Sequence, residues 1–269
     1  MLLDSFGKIA VVGATGWMGR SILMPLLQGF YLRSDRLILF NRSGDFSAFS
    51  AWRDIECSTD LSRIPKACDT VFLSIKPHDL PNLNLDLSGQ LLVSILAGTR
   101  VSTLFEYTQS RKIIRAMPNT ASSVGGGFSP YYANDQVSLD EKKAFESLFS
   151  YIGLVEQVGS EIDIDRLTAL TGSGHGWVAF FESAMIEAGI AIGLDPALST
   201  RAVQQLFKGM GALVATESLS PKDTVQALVD YAGTTAAGLE SMRELQVDER
   251  IVKSIEASFM RAKMNMTKG

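Results

Sequence analysis

The stretch Ile9-Ala10-Val11-Val12, followed by Gly13-Ala14-Thr15-Gly16-Trp17-Met18-Gly19, restricts the fold of this chain more than any other. Four consecutive apolar residues ending on a glycine read as a strand covered on both faces, and the helical spacing from Trp17 to about Gln28 reads as the helix that follows it. The glycines let the backbone turn sharply and approach an anion without a Cβ in the way, while the first amides of the helix point at that anion. Gly13, Thr15, Gly16, Trp17 and Met18 are thus candidates for holding a diphosphate. A glycine turn after any core strand has the same look, so the residues downstream decide between the two readings.

Downstream, Leu37-Ile38-Leu39-Phe40 reads as a second strand, and Thr70–Ile75, Leu91–Ile95 and Lys112–Ala116 are further short apolar runs. Their near-continuous hydrophobicity predicts parallel strands with both faces covered. Ser138 predicts the cap of a helix reaching about Tyr151, and Gly153–Val158 the last strand. From Asp163 the pattern changes to Ala, Leu, Met, Glu and Gln at helical spacing, broken at Gly172-Ser173-Gly174 and Asp195-Pro196. Helices are expected near Thr168–Ile192, Pro196–Glu217, Pro221–Val229, Thr234–Glu244 and Asp248–Lys263. The organisation is an α/β dinucleotide-binding domain over 1–160 and an all-helical domain over 161–269. A helical domain this thin buries its apolar faces best against a second subunit.

Several function classes are disfavoured. The net charge of −4, with no Lys/Arg run longer than two, lacks the basic footprint expected of a partner for nucleic acid or an anionic membrane. Met1-Leu2-Leu3 has no basic leader before Asp4, and no apolar run reaches the roughly 18 residues of a spanning helix, so a cytoplasmic location is expected. Two histidines, His78 and His175, leave little scope for a zinc site, and no metal is expected. Cys57 and Cys68 form neither a CxxC pair nor a disulfide framework and read as buried thiols.

The ends of the strands carry the candidate site. Where a dinucleotide presents its adenosine ribose, a site for a plain 2′-hydroxyl places Asp or Glu; here Asn41-Arg42-Ser43 offers a cation and two neutral hydrogen-bonding groups, suited to a 2′-phosphate. A solvated loop arginine is the alternative. Lys76, before Pro77, can reach a phosphate or ribose, or is simply a surface lysine before a turn. Ala97-Gly98 and Met117-Pro118-Asn119-Thr120 close the next two strands. Three successive strand ends with small or polar residues favour an open cleft at the carboxyl edge of the sheet.

In order and spacing, several segments together resemble the pyrroline-5-carboxylate reductase family. They are Gly16-Trp17-Met18-Gly19, Asn41-Arg42-Ser43, Ile75-Lys76-Pro77, Ser94–Gly98, Arg115–Thr120, Thr168–Gly174 and Ala232–Leu239, and they run through nearly the whole chain. The resemblance implies an N-terminal Rossmann-type domain, a C-terminal all-α dimerisation domain, a homodimer or higher oligomer, and reduction of a cyclic imine carboxylate to L-proline with NADPH, or NADH. Such chemistry needs an anion site for the carboxylate and a hydrogen-bond partner at nitrogen. Ser173 and Gly174 are expected at a helix start whose free amides could bind the carboxylate, and Gly233-Thr234-Thr235 at a second. Thr235 matches the family position that faces the substrate nitrogen; a helix cap is the alternative for these threonines and for Ser173.

The chain departs from the family at three points. Thr15 lengthens the glycine turn by one residue, as in some short-chain reductases, but no tyrosine here has the lysine four residues later that those enzymes use. β-Hydroxyacid dehydrogenases need a lysine on the helix after Gly-Ser-Gly, and none occurs between Lys143 and Lys208. His175 stands where the family usually has proline; it could supply a proton, since imidazole titrates near neutrality, or satisfy a local carbonyl. Asp230 brings a carboxylate close to Gly233, which would repel an anionic substrate unless it turns away or pairs with His175. A reductase for another cyclic imine or keto acid, and a catalytically weak nucleotide-binding paralogue, are the competing readings.

Overall fold

The computed structural model describes residues 6–216 and 220–265. Met1–Asp4, where no basic leader is expected, and Glu217, the expected end of a helix, lie outside them. The chain divides into two compact units, one running through His175 and including the chain from Ser258, the other Gly176–Ala257.

The first unit is built on β1 (Ile9–Val12), α1 (Trp17–Gln28), β2 (Leu37–Phe40), β3 (Glu56–Ser58), the short α2 (Ile64–Ala67), β4 (Thr70–Leu73), β5 (Leu91–Ser94), α3 (Val101–Thr108), β6 (Lys112–Ala116), β7 (Gly127–Ala133), α4 (Leu139–Phe149), β8 (Gly153–Gln157) and α5 (Glu161–Leu167). One sheet runs in the order β3-β2-β1-β4-β5-β6-β7-β8. The first six strands are parallel in the doubly wound order of a dinucleotide-binding fold, so their carboxyl ends share one edge. Alternate residues of each strand enter opposite cores: Ile9 and Val11 pack with Leu23, Leu26 and Phe149 of α1 and α4, and Ala10 and Val12 with Ile38, Val71 and Leu104. Ser138 caps α4 by accepting from the Glu141 amide while the Glu141 carboxylate accepts from that of Ser138, which explains the well-marked start of this helix.

Two strands and one cysteine differ from expectation. β7 pairs antiparallel with β6. Pro130 argues against a strand there, but it lies one residue beyond the last β6 partner, where its carbonyl accepts from Met117 at 2.9 Å and its missing N–H falls at the end of the ladder. β3 is a three-residue edge strand whose polar residues carry no periodic signal. On that edge Cys57 is exposed rather than buried, whereas Cys68 is buried and its thiol is pushed up to about 11 by the loss of solvent.

The second unit holds most of α6 (Gly174–Ala191), then α7 (Pro196–Val214), α8 (Pro221–Asp230), α9 (Thr234–Glu244) and the first part of α10 (Val247–Asn265). Asp195 and Ser220 cap α7 and α8 by accepting from the amides of Leu198 and Asp223. Gly189 lets α7 come close, because a Cβ there would sit 2.2 Å from Ser199 Oγ, which itself donates to Ile186 O at 2.8 Å. No residue of α6 is buried, although the helix is largely apolar; Phe180 within it is 69% exposed and Ile192, just past its end, 82%. Among the described residues no helix is long and apolar enough to cross a membrane.

Candidate active site

The glycine turn is built from contacts that only glycine allows. At Gly13, φ is +87°, and an added Cβ would lie 2.3 Å from the Ser74 backbone oxygen. The Gly13 amide donates to Phe40 O at 2.9 Å and Ser74 N donates to Val12 O at 2.8 Å, so the end of β1 is tied to the ends of β2 and β4. A Cβ on Gly19 would lie 2.6 Å from Gly13 O, which is how α1 starts tight against the turn. Gly16 is the N-cap of α1, and no side chain caps that end. The first turn of α1 therefore presents backbone donors and a positive dipole end with no competing side-chain acceptor, a fit for a dinucleotide diphosphate.

A cleft of about 530 Å³ opens at this edge and gathers Gly13, Thr15, Gly16, Trp17, Met18, Asn41, Arg42, Ser43 and Lys76. Nine residues expected at a cofactor thus meet in one place. Asn41 organises the loop after β2: its Nδ2 donates to Thr15 Oγ1 at 3.2 Å and Asp45 O at 2.6 Å, and its Oδ1 accepts from Gly44 N at 2.7 Å. The extra residue Thr15 thereby ties the glycine turn to that loop. Ser43 Oγ accepts from Asp45 N at 3.2 Å. Arg42 is exposed, and its guanidinium donates to Asp79 Oδ1 at 3.0 Å. Pro77 begins the short turn Pro77–Asn82 that carries Asp79. Asp79, Thr59, Leu61, Asn82 and Leu83 also line the cleft and are not evident from the sequence; their positions follow from which strands are neighbours, and for Asp79 the one local signal is the proline-led turn after β4.

Ala97 and Gly98 after β5, and Asn119 after β6, stand at the same edge of the sheet but outside the lining of this cleft. Asn119 joins two segments instead, with Nδ2 donating to Thr171 O and Oδ1 accepting from Phe128 N, both at 3.4 Å.

The Gly172-Ser173-Gly174 segment leads into a helix start at Gly174, as expected, but what precedes that start is itself helical. Thr168–Gly172 form a π-helical turn that carries α5 on toward α6. In it the Ser173 amide donates to Thr168 O at 3.0 Å and Ser173 Oγ donates to the same oxygen at 3.1 Å, so this amide is already bonded. Gly172 faces Met117, whose Cγ would be 3.3 Å from an added Cβ. Gly174 opens α6, and the next residue, His175, is exposed, its ring 5.7 Å from that of Trp17 at 71°. That edge-to-face contact brings a residue expected in catalysis to one lining the dinucleotide cleft.

The other substrate candidates belong to the second unit. Asp230 ends α8, where its Oδ1 accepts from Gln226 Nε2 at 2.8 Å. Ala232 has φ +57°, and Gly233 is the N-cap of α9 with no side-chain cap. Thr234 and Thr235 are its first two helical residues, and neither is used as the cap. The amides of this first turn lack a side-chain acceptor, as those of α1 do.

Comparison with known proteins agrees with this arrangement. Residues 161–265 match the family model described as pyrroline-5-carboxylate reductase dimerisation. A pyrroline-5-carboxylate reductase of Synechocystis sp. is 27% identical over 260 residues, 95% of this chain and 97% of that protein. One from Vibrio alginolyticus is 29% identical over 264 residues, 95% of this chain and 96% of its own. The crystal structure of Plasmodium falciparum pyrroline carboxylate reductase with NADP bound has a TM-score of 0.83 at 26% identity and covers 96% of this chain and 98% of that one. Along 95% of its length the chain is similar to pyrroline-5-carboxylate reductases, and its residues 161–265 match the dimerisation domain of that family.

Proposed function

We propose that the protein reduces 1-pyrroline-5-carboxylate to L-proline with NADPH, NADH serving as a weaker donor, and that it works as a homodimer or a higher homo-oligomer. The observation that carries this reading is the cleft itself: an uncapped helix start behind a three-glycine turn with Arg42 at its rim, in a chain that pyrroline-5-carboxylate reductases match along 95% of its length. The exposed apolar side chains of the helical unit, Phe180, Ile192 and Val214 among them, support self-association, because each would leave water against a second copy.

When bound, the reduced nicotinamide supplies hydride to the imine carbon. The chain's own tasks are to hold, orient and protonate. The amides at the start of α1 hold the diphosphate, and Arg42 and Lys76 add positive charge at the rim and at the end of β4. The uncapped start of α9 is assigned the substrate carboxylate, since a helix N-terminus favours an anion. The Thr235 hydroxyl is assigned the ring nitrogen, to which it donates directly or through a water. Imine reduction requires one proton at that nitrogen, and His175, turned to Trp17 at the cleft, is the group we assign to deliver it. Asp230, assigned to the edge of the substrate site, is engaged by Gln226, which holds its carboxylate on α8.

Purified protein given NADPH and pyrroline-5-carboxylate is expected to consume the cofactor, followed by its absorbance, with smaller rates on six-membered cyclic imines; NADPH binding with no turnover on any cyclic imine would overturn the reading. Thr235→Ala is expected to lower kcat by about 10- to 100-fold, the range for losing one transition-state hydrogen bond, while the Kd for NADPH stays within about twofold. An unchanged kcat would remove Thr235 from the chemistry.

A further inference from the structure

The geometry points to Asp79 as the residue that sets the cofactor preference of the cleft, by competing with a 2′-phosphate for Arg42. The inference rests on reading the Asn41–Ser43 end of the cleft as the adenosine ribose site. β2 and β4 flank β1 on either side, so the loop carrying Arg42 and the turn carrying Asp79 face one another across the glycine turn. The ion pair between them, 3.0 Å long, crosses the cleft at that end.

The two partners are not equally held. The Arg42 side chain is 87% exposed and that of Asp79 only 19%. Asp79 sits in the Pro77–Asn82 turn, where its amide donates to Lys76 O at 2.9 Å and proline fixes the backbone at the entry. The carboxylate is thus the fixed member and the guanidinium the one free to swing. His78 Nε2 lies 3.9 Å from the same carboxylate oxygen but its ring is 75% exposed, and Lys76 is the other cation lining the cleft.

A 2′-phosphate arriving here draws Arg42 away from Asp79, or shares it, and in either case leaves up to two negative charges facing a carboxylate that cannot retreat. A 2′-hydroxyl brings no charge and can donate to that same carboxylate. Asp79 therefore lowers affinity for NADPH and not for NADH. Each unit charge about 4 Å away in water-like surroundings changes an equilibrium by about fivefold, less where salt screens it. The preference for NADPH that Arg42 alone would create is held down by this pairing.

The test is direct titration of NADPH and NADH, followed by nicotinamide fluorescence, against the full-length protein and three variants, with no turnover needed. Asp79→Asn, nearly identical in shape, is expected to tighten NADPH by about 3- to 10-fold while NADH changes less than about threefold and in the weaker direction. Asp79→Glu, which keeps the charge, should hold the NADPH to NADH ratio within about twofold of the parent. An unchanged or reduced ratio in Asp79→Asn overturns the proposal. Arg42→Ala separates its failure from that of the underlying reading. If Arg42→Ala weakens NADPH selectively while Asp79→Asn does nothing, only the role of Asp79 falls. If Arg42→Ala weakens both cofactors equally, the ribose site is elsewhere and both fall.

Discussion

Gly13→Ala is expected to weaken NADPH binding by at least about 100-fold and to destabilise the protein by about 2–4 kcal/mol, read by nucleotide titration and by urea unfolding. Two physical effects add. At φ +87° an alanine occupies the left-handed region, which costs about 1–2 kcal/mol. The greater cost comes from the 2.3 Å approach of the new Cβ to the Ser74 oxygen, a backbone atom that no rotamer can move. Relief requires the ends of β1 and β4 to part, and both line the cleft through Val12, Gly13, Ser74 and Ile75. Gly125→Ala isolates the conformational cost, because Gly125 has φ +75° and nothing within 4 Å of an added Cβ. It should lose about 1 kcal/mol and leave NADPH affinity unchanged. Equal losses in the two variants would mean that conformation, and not the close approach, is what glycine supplies at position 13.

The contrast between those two glycines also shows what can be read from a sequence and what cannot. Both look alike as letters. The strand, turn and helix around Gly13 are legible because a four-residue apolar run meets helical spacing across the turn, and α1 begins and ends where its periodicity does. The same local logic finds β2, β4, β5, β6, α4 and β8, and the starts of α7, α8 and α9 at Pro196, Pro221 and Thr234. It fails where a partner far along the chain decides. β7 is held by β6 and β8 in spite of Pro130, and the edge strand β3 by β2 alone. The π-turn at Thr168–Gly172 is hidden because Gly-Ser-Gly reads as a break. There the hydroxyls of Thr168 and Thr171 donate one turn back, to Ile164 O and Leu167 O at 2.7 and 3.0 Å, and the chain turns at Ser173 before α6 begins. Arg42 is legible as a cation at a strand end, but its pairing with Asp79, 37 residues later, depends on strand order.

The largest stability effect outside the cleft is expected at Arg115. This β6 residue is 1% exposed, with Nη1 donating to Glu161 Oε1 at 2.7 Å and Nη2 to Asp165 Oδ1 at 3.0 Å. Glu161 Oε1 also accepts from the Val101 amide at 2.7 Å, so one carboxylate ties the start of α5 to the start of α3. Arg115→Met keeps the length and apolar stem of the side chain and removes the charge. It leaves Asp165, 2% exposed, as a buried carboxylate without its cation, whereas Glu161, at 28%, can turn to water. Removing one partner of a buried pair typically costs about 3–5 kcal/mol, chiefly through the stranded charge. For a unit of this size the loss should lower Tm by about 10 °C. Asp165→Asn in the same chain removes that charge and should recover at least about 1 kcal/mol, although Asp165→Asn alone is destabilising. That sign reversal is what distinguishes a stranded charge from lost packing. If the double variant is no more stable than Arg115→Met, the carboxylate is not stranded, and packing of the Arg115 stem accounts for the loss. Because β6 leads into Met117 and Asn119, which meet Gly172 and Thr171, the single variant should also loosen the turn that positions His175. In that case kcat falls in Arg115→Met below its unfolding temperature, while the Kd for NADPH, set at the other strand ends, does not move.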